Sequence, residues 1–355
     1  MKKILIGGSP CTHWSIAQKN NRETTAEGIG WELFKNYLIA KEKFKPDIFL
    51  YENNKSAAQP IKDQISIELG VPLQYINSAL VSAQNRQRFY AHNILGVPQP
   101  EDRGILLRDI LEGGDCWREK AYTLDANYYR TAGTYDPKSQ HSYSRHMAAE
   151  PVGITGDGKA YCLTSSYFKG PVLENTLERG QRSMIAKPVR IEGDYQHNNF
   201  VIEPGNKPVY EVKDGFITIK GKQYPIKLQD GYYIIRKLTV TECCRLQTLP
   251  DDYCRAVSAS QAYKGLGNGW TAEVIIHILK HMNIPLDEEI IVLSMYDGIG
   301  TGRYCFDKLG YKNVAYYAYE IDKYAMQVAN SNYSDIIQCG DAFQVMDDSW
   351  GMGRR

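Results

Sequence analysis

The sequence predicts an α/β protein: a doubly wound, mostly parallel sheet covered by helices, joined to a smaller β-rich domain. Three observations carry that expectation. Residues 1 to about 115 alternate short apolar strands with helical patterns, the alternation returns from Leu238 onward, and the stretch between changes to Tyr, Gly, Asn and Ser with short β-like pieces. The expected division is 1–115 and 236–355 for the two parts of the larger domain and 116–235 for the smaller one. A chain of 355 residues, 43% hydrophobic, is long and apolar enough for two domains with a substantial core.

The first element is the run Ile4-Leu5-Ile6, which opens into Gly7-Gly8-Ser9-Pro10-Cys11. Two glycines let the backbone bend and approach a ligand closely, Pro10 stiffens the turn, and a thiol in an electropositive cleft can become a thiolate. A helical pattern covers residues 29–43, the strand-like Asp47-Ile48-Phe49-Leu50-Tyr51 is followed by Glu52-Asn53, and a second helical pattern covers 57–69. Gln84-Asn85-Arg86-Gln87-Arg88 follows another apolar stretch. Arg86 and Arg88 stand two apart, so on a strand they share a face, where planar guanidiniums can grip a phosphate or a carbonyl.

In the middle stretch, Phe216-Ile217-Thr218-Ile219 and Tyr232-Tyr233-Ile234-Ile235 read as strands. A weak internal repeat relates residues 120–124, with Tyr128-Tyr129, to residues 159–163, with Tyr167-Phe168. Residues 241–247 then read as a helix joining the domains, with Glu242 and Arg245 structural and the adjacent Cys243 and Cys244 packed. The last part begins with the apolar Ile290-Ile291-Val292-Leu293, which ends in a glycine-rich turn, the place where doubly wound sheets bind nucleotide-like ligands. Roughly 20 residues on, Glu320 ends a further strand, where a carboxylate can accept both hydroxyls of a ribose. Asp341 ends the next apolar piece and suits an adenine amine.

Composition narrows the classes. A formal net charge of +1 gives no global pull toward nucleic acid, so such affinity must come from local clusters of Lys and Arg. The eight cysteines include no C-x-x-C pair and no His at zinc spacing, so no metal site or disulfide framework is expected, and reduced thiols in the cytoplasm are. Met1-Lys2-Lys3 has the charge of a signal start, but the apolar run behind it ends at once, and no stretch approaches the ~20 apolar residues of a membrane span.

G-G-S-P-C with Ser15 behind it, then E-N, then Q-N-R-Q-R resembles, in order and spacing, the DNA cytosine-5 methyltransferase family. The likeness continues through Arg236-Lys237-Leu238-Thr239 with Glu242, Arg245-Leu246-Gln247, and Gly265-Leu266-Gly267-Asn268-Gly269. The family's cofactor-binding segment is usually N-terminal. Here its likeness, Ser294-Met295-Tyr296-Asp297-Gly298-Ile299-Gly300-Thr301-Gly302, lies late in the chain, followed by Glu320-Ile321-Asp322 and Gly340-Asp341, so the sequence resembles a circularly permuted member. Only residues 116–235, roughly, fall outside the resemblance.

The resemblance implies a Rossmann-like methyltransferase domain, S-adenosylmethionine as cofactor, and methylation of carbon 5 of a flipped cytosine in duplex DNA. Cys11 would attack carbon 6, Glu52 would hold the base and supply a proton, Arg88 would touch the base, and Arg86 would be structural or touch a phosphate. The cofactor would lie among Pro10, Asn268, Trp270, Tyr296, Asp297, Gly298, Ile299, Gly300, Gly302, Glu320, Ile321 and Asp341, with core packing the equal alternative for Trp270. Asn54 stands where the family usually has Val, and Tyr296 where it has Phe. Residues 116–235 would read bases in the major groove and hold phosphates. A monomer is expected, without metal or membrane, a cognate restriction endonuclease being an optional partner. Two alternatives are an RNA cytosine-5 methyltransferase, against which a sizeable Tyr-rich segment argues, and a non-catalytic DNA-binding relative, which would not need Cys11, Glu52 and Arg88.

Overall fold

The computed structural model describes residues 1–15, 22–112, 121–122, 185–188, 209–219, 221–226, 228, 230–348 and 350. The first part of the chain supplies β1 (Lys2–Gly7), α1 (Gly28–Phe44), β2 (Ile48–Asn54), α2 (Gln59–Leu69), β3 (Leu73–Asn77), β4 (Gln84–Asn85) and β5 (Gln87–His92). The middle supplies β6 (Ala121–Tyr122), β7 (Ile185–Pro188), β8 (Val209–Lys213), β9 (Phe216–Ile219), β10 (Lys222–Pro225) and β11 (Gly231–Arg236). The last part contains α3 (Val240–Leu246), α4 (Ala259–Asn268), α5 (Ala272–Leu279), β12 (Ile290–Met295), α6 (Thr301–Leu309), β13 (Val314–Tyr319), α7 (Lys323–Asn332) and β14 (Ile336–Gly340).

Seven strands form one sheet in the order β14-β13-β12-β1-β2-β5-β3. All neighbours are parallel except β5, which runs antiparallel to both β2 and β3. Alternation along the central strands builds two cores, since successive side chains of a strand face opposite ways. Ile4, Ile6, Leu50 and Val292 join one core with α4, α5 and α6, while Leu5, Phe49, Tyr51 and Leu293 join the other with α1 and α2. The sheet is thus buried on both faces, the condition that selects continuous apolar strands in parallel sheets.

Local chemistry sets the helix ends. Pro60 stands in the first turn of α2, where its missing N–H is harmless, and Gly70 closes that helix in the left-handed region at φ 71°. Thr239 and Glu242 cap α3 reciprocally: the Glu242 amide donates to Thr239 Oγ1 at 3.1 Å and the Thr239 amide to Glu242 Oε2 at 2.8 Å. The structural roles expected for Glu242 and Arg245 fit this arrangement, Arg245 pairing with Asp251 beyond the helix, and Cys243 and Cys244 are buried.

A second sheet, fully antiparallel, has the order β10-β9-β8-β11-β7. Asp214 and Gly215, at φ 53° and 74°, make the two-residue turn between β8 and β9, the backbone twist that Asp-Gly favours in hairpins. β4 and β6 form a short parallel pair. Apart from residues 121–122, the internal repeat expected at 120–129 and 159–168 lies outside the described residues.

Two expectations about local structure change. Glu52 and Asn53 do not follow their strand; β2 continues through Asn54, because residues 50–54 keep pairing with residues 88–92 of β5. Arg86 and Arg88 do not share a strand face, because Arg86 sits in the break between β4 and β5. The Arg86 amide donates to Asn77 Oδ1 and its carbonyl accepts from the Ser78 amide, each at 3.0 Å, which fixes that break.

Candidate active site

The C-terminal ends of β1 and β2 bring the turn before Cys11 against Glu52. A Cβ at Gly7 would stand 2.6 Å from the Met295 carbonyl oxygen, and one at Gly8 would stand 2.6 Å from the Glu52 carbonyl oxygen and 3.2 Å from Glu52 Oε2. Only glycine allows this approach. Past the glycines, Ser9 Oγ and the Tyr51 hydroxyl lie 2.7 Å apart, and Asn53 Nδ2 donates to the Ser9 carbonyl at 3.0 Å and to the Tyr51 hydroxyl at 3.1 Å. This buried network ties the turn before Cys11 to β2. Cys11, half-buried, begins a one-turn 3-10 helix whose carbonyl accepts from the Trp14 and Ser15 amides at 3.1 and 3.0 Å.

Behind the thiol, Glu23 gathers the returning chain. Its carboxylate accepts from the Trp14 indole at 3.1 Å and from the Gly30 amide, and lies 3.5 Å from His13 Nδ1. Arg22 donates to the Trp14 carbonyl at 3.2 Å. The sequence carried no signal for Glu23, whose partners lie within ten residues of it in the chain.

Glu52, only 8% exposed, has both carboxyl oxygens engaged. Oε1 pairs with Arg88 Nε at 2.9 Å, and Oε2 accepts from the Trp270 indole at 3.1 Å. Arg88 stands opposite Asn54 on β5, two residues from Glu52 along β2, and so shares its face. Arg86 turns elsewhere: its guanidinium donates to the Gly267 carbonyl at 3.3 Å and the Gly269 carbonyl at 2.9 Å, at the end of α4. Gln247 reinforces that junction, donating to the Leu266 carbonyl and accepting from Thr271 at 3.0 Å. Arg86 and Gln247 thereby fix the backbone that carries Trp270.

The glycine-rich turn lies at the end of β12. Tyr296 adopts φ 62°, costly for an aromatic residue, and its hydroxyl donates to the Leu33 carbonyl on α1 at 2.7 Å. Asp297 receives Ser294 Oγ and the Tyr316 hydroxyl on Oδ1, each at 2.6 Å, while Oδ2 is buried without a partner among the described residues. Burial pushes the Asp297 carboxyl up to about 6 against the pull of those two donors, with the nearby Glu320 charge adding to the rise. Gly298, at φ 63°, donates its amide to Glu320 Oε2 at 2.9 Å, and Glu320 Oε1 accepts the Ile321 and Asp322 amides at 2.8 Å each. Two strand ends are thereby locked together through one carboxylate.

A side chain at Gly302 would overlap the Tyr316 hydroxyl and approach Ile6 Cδ1 to 2.6 Å, so glycine lets α6 start directly on the sheet. Ile299 is buried, with its carbonyl taken by the Tyr253 hydroxyl at 3.1 Å. Gly300 caps α6 at φ 78°. Asp341 caps the turn after β14, accepting from the Phe343 amide at 3.0 Å. Ile321, Pro10 and Asn268 are exposed.

A doubly wound sheet with a glycine-rich loop at the end of β12, the strand end where such sheets bind nucleotide-like ligands, defines an α/β protein of the nucleotide-binding type. Residues 1–283 match the family model of the C-5 cytosine-specific DNA methylases, and the chain belongs to that family. It is a DNA methyltransferase acting on carbon 5 of cytosine. It is similar to the type II methyltransferase M.HpaII of Haemophilus parainfluenzae, 28% identical over 75% of this chain and 67% of that one. It is also similar to the orphan methyltransferase M.SPRI of Bacillus phage SPR, 22% identical over 79% of this chain and 82% of that one. A solved structure of Spodoptera frugiperda DNMT2 aligns over 79% of each chain at 16% identity with a TM-score of 0.38. Among the described residues no helix is long and apolar enough to cross a membrane, and no group of three or more His, Cys, Asp or Glu could hold a metal ion.

Proposed function

We propose that Cys11, Glu52 and Arg88 carry out the methylation chemistry and that residues 296–302, with Glu320 and Asp341, hold S-adenosylmethionine. One observation carries the reading: the Glu52 carboxyl lies between Arg88 and Trp270 and against Gly8, three residues before the thiol. A cytosine turned out of the duplex presents ring nitrogen 3 and its exocyclic amine to Glu52, the unstacking costing a few kcal/mol that groove contacts offset. Cys11 Sγ adds to carbon 6 while Glu52 delivers a proton to nitrogen 3, which makes carbon 5 nucleophilic. Once carbon 5 carries the methyl group, its proton leaves to a base, the thiolate is expelled to restore the ring double bond, and nitrogen 3 returns its proton to Glu52. Arg88 keeps Glu52 oriented and faces the base, whereas Arg86 is structural.

When bound, the cofactor supplies an electrophilic methyl group on a sulfonium. The residues present fit such a group. Asp297 Oδ2 and Thr301 Oγ1 are buried without partners among the described residues, and a Cβ built on Gly298 meets nothing within 4 Å, which leaves room beside the loop. In this reading Glu320 faces the ribose hydroxyls, Asp341 the adenine amine, and Ile321 the adenine face. Pro10 and Asn268 border the methionine end.

Two further parts of the reading have support of their own. The separate sheet β7–β11, antiparallel throughout, supports residues 116–235 as the target-recognition domain. The central pairing of β1 with β12, residues 2–7 against 290–295, supports a circular permutation, since the cofactor half of the sheet follows in sequence what it adjoins in space. Relatives that are type II and orphan methyltransferases make a partner endonuclease compatible but not necessary. The test is a duplex containing 5-fluorocytosine, whose fluorine cannot leave carbon 5 as a proton does. With cofactor, the parent should be trapped covalently on this duplex and Cys11→Ser should not, while binding cofactor normally. A covalent complex formed by Cys11→Ser would remove Cys11 from the mechanism.

A further inference from the structure

We infer that Trp270 is a positioning residue for Glu52 rather than a cofactor contact: it fixes Oε2 as the oxygen that holds the proton for the base. The inference rests on the proposed role of Glu52 and deepens it. The indole N–H reaches Glu52 Oε2 at 3.1 Å, while Oε1 faces the Arg88 guanidinium at 2.9 Å. Arginine stays charged and donates only, so a proton on Oε1 would face a cation at hydrogen-bond distance. Oε2 faces a neutral donor and keeps a second lone-pair direction for an O–H. An indole N–H can only donate, so Trp270 holds Oε2 by one lone pair whether the carboxyl is charged or neutral, and leaves the other position free to aim at the base.

The contact joins residues 218 apart, and the backbone that carries Trp270 is fixed on its own account. Arg86 donates to the Gly269 carbonyl at 2.9 Å, and the Thr271 hydroxyl is bound to Gln247. Trp270 packs beside the core of the helical face without being enclosed in it. The buried Arg86 and Gln247 therefore act on the base-binding carboxylate at one remove, through the indole.

The experiment is a double-mutant cycle between Trp270→Phe and Glu52→Gln, read by release of tritium from carbon 5 of cytosine without cofactor, by methylation, and by cofactor affinity. Trp270→Phe should lower both exchange and kcat about tenfold, the lower end of what a positioned proton donor contributes being near a hundredfold. KM for DNA and cofactor affinity should stay within about twofold. In the Glu52→Gln background the same substitution should change neither rate by more than about twofold, since its target is already disabled. Installing the benzothiophene analogue of tryptophan at position 270 alone removes the N–H but keeps the volume, and it should reproduce the Trp270→Phe rates at parental thermal stability. A large loss of cofactor affinity with parental exchange, or effects of the two substitutions that simply multiply, would overturn the inference. A Glu52→Gln enzyme as fast as the parent would instead overturn the role of Glu52 itself.

Discussion

Asp297 places an ionisable group where ionisation is expensive, and the expense can be measured. Its carboxyl is lifted from 3.8 to about 6, chiefly by burial, which disfavours the ionised form by on the order of 3 kcal/mol. The folded-state value lies above the unfolded one, so the stability is fully present below pH 3.8 and is lost as the pH rises to about 6. Asp297→Asn removes the ionisation and keeps an oxygen to receive Ser294 and Tyr316. Without cofactor, the variant should match the parent near pH 4 and exceed it by on the order of 3 kcal/mol at pH 7, roughly 4 °C in Tm. The difference between the two proteins, followed by thermal unfolding at several pH values, isolates this group. Burial holds His92 and His277 below the usual imidazole value and gives them the opposite pH dependence, but both are present in parent and variant and cancel. Asp47, Asp251 and Asp322 are held below 3.8 and act below the window. A parent-to-variant difference that stays constant from pH 4 to 7 would refute the argument.

Two further predictions concern the architecture. Exchanging residues 116–235 for the matching segment of a relative with another target should transfer that target, as methylation mapping would show; a folded, active hybrid that keeps the original target would place specificity elsewhere. A rearranged chain that starts near Glu288, runs to residue 355, continues through a short flexible linker into Met1 and ends near Pro285 should methylate the same target at the parental rate. It loses an exposed ion pair between the Met1 amine and Glu288, of small value, and changes only loop closure. If it folds but binds no cofactor, the permuted reading fails.

What was legible in the sequence was local. The two helical patterns of the first part appear as α1 and α2 within two residues, and the apolar runs ending at Gly7 and Tyr319 are strands, because apolar period and glycine punctuation act over a few residues. The contacts that assemble the site were not legible. Arg86 and Arg88 look equivalent in sequence, and only the break between β4 and β5 sends one to the Gly267 and Gly269 carbonyls and the other to Glu52. Trp270 looked like core or cofactor wall because its partner lies on a strand specified more than two hundred residues earlier. The antiparallel direction of β5 was hidden too, since a buried strand reads the same in both directions.

The pairing of β1 with β12 also governs how this protein is born. Residues 2–7 form the middle of the finished sheet, yet one of their two neighbouring strands is encoded some 280 residues downstream. At roughly 5–20 residues per second, a ribosome needs on the order of 15–60 s to make it. Through that interval the emerged β1 has β2 on one side and an open row of backbone donors and acceptors on the other, the kind of edge that invites pairing with another chain. Folding of the larger sheet is therefore completed late in synthesis, and the nascent chain has a long window in which a chaperone, or a neighbouring copy on the same messenger, can reach its central strand first.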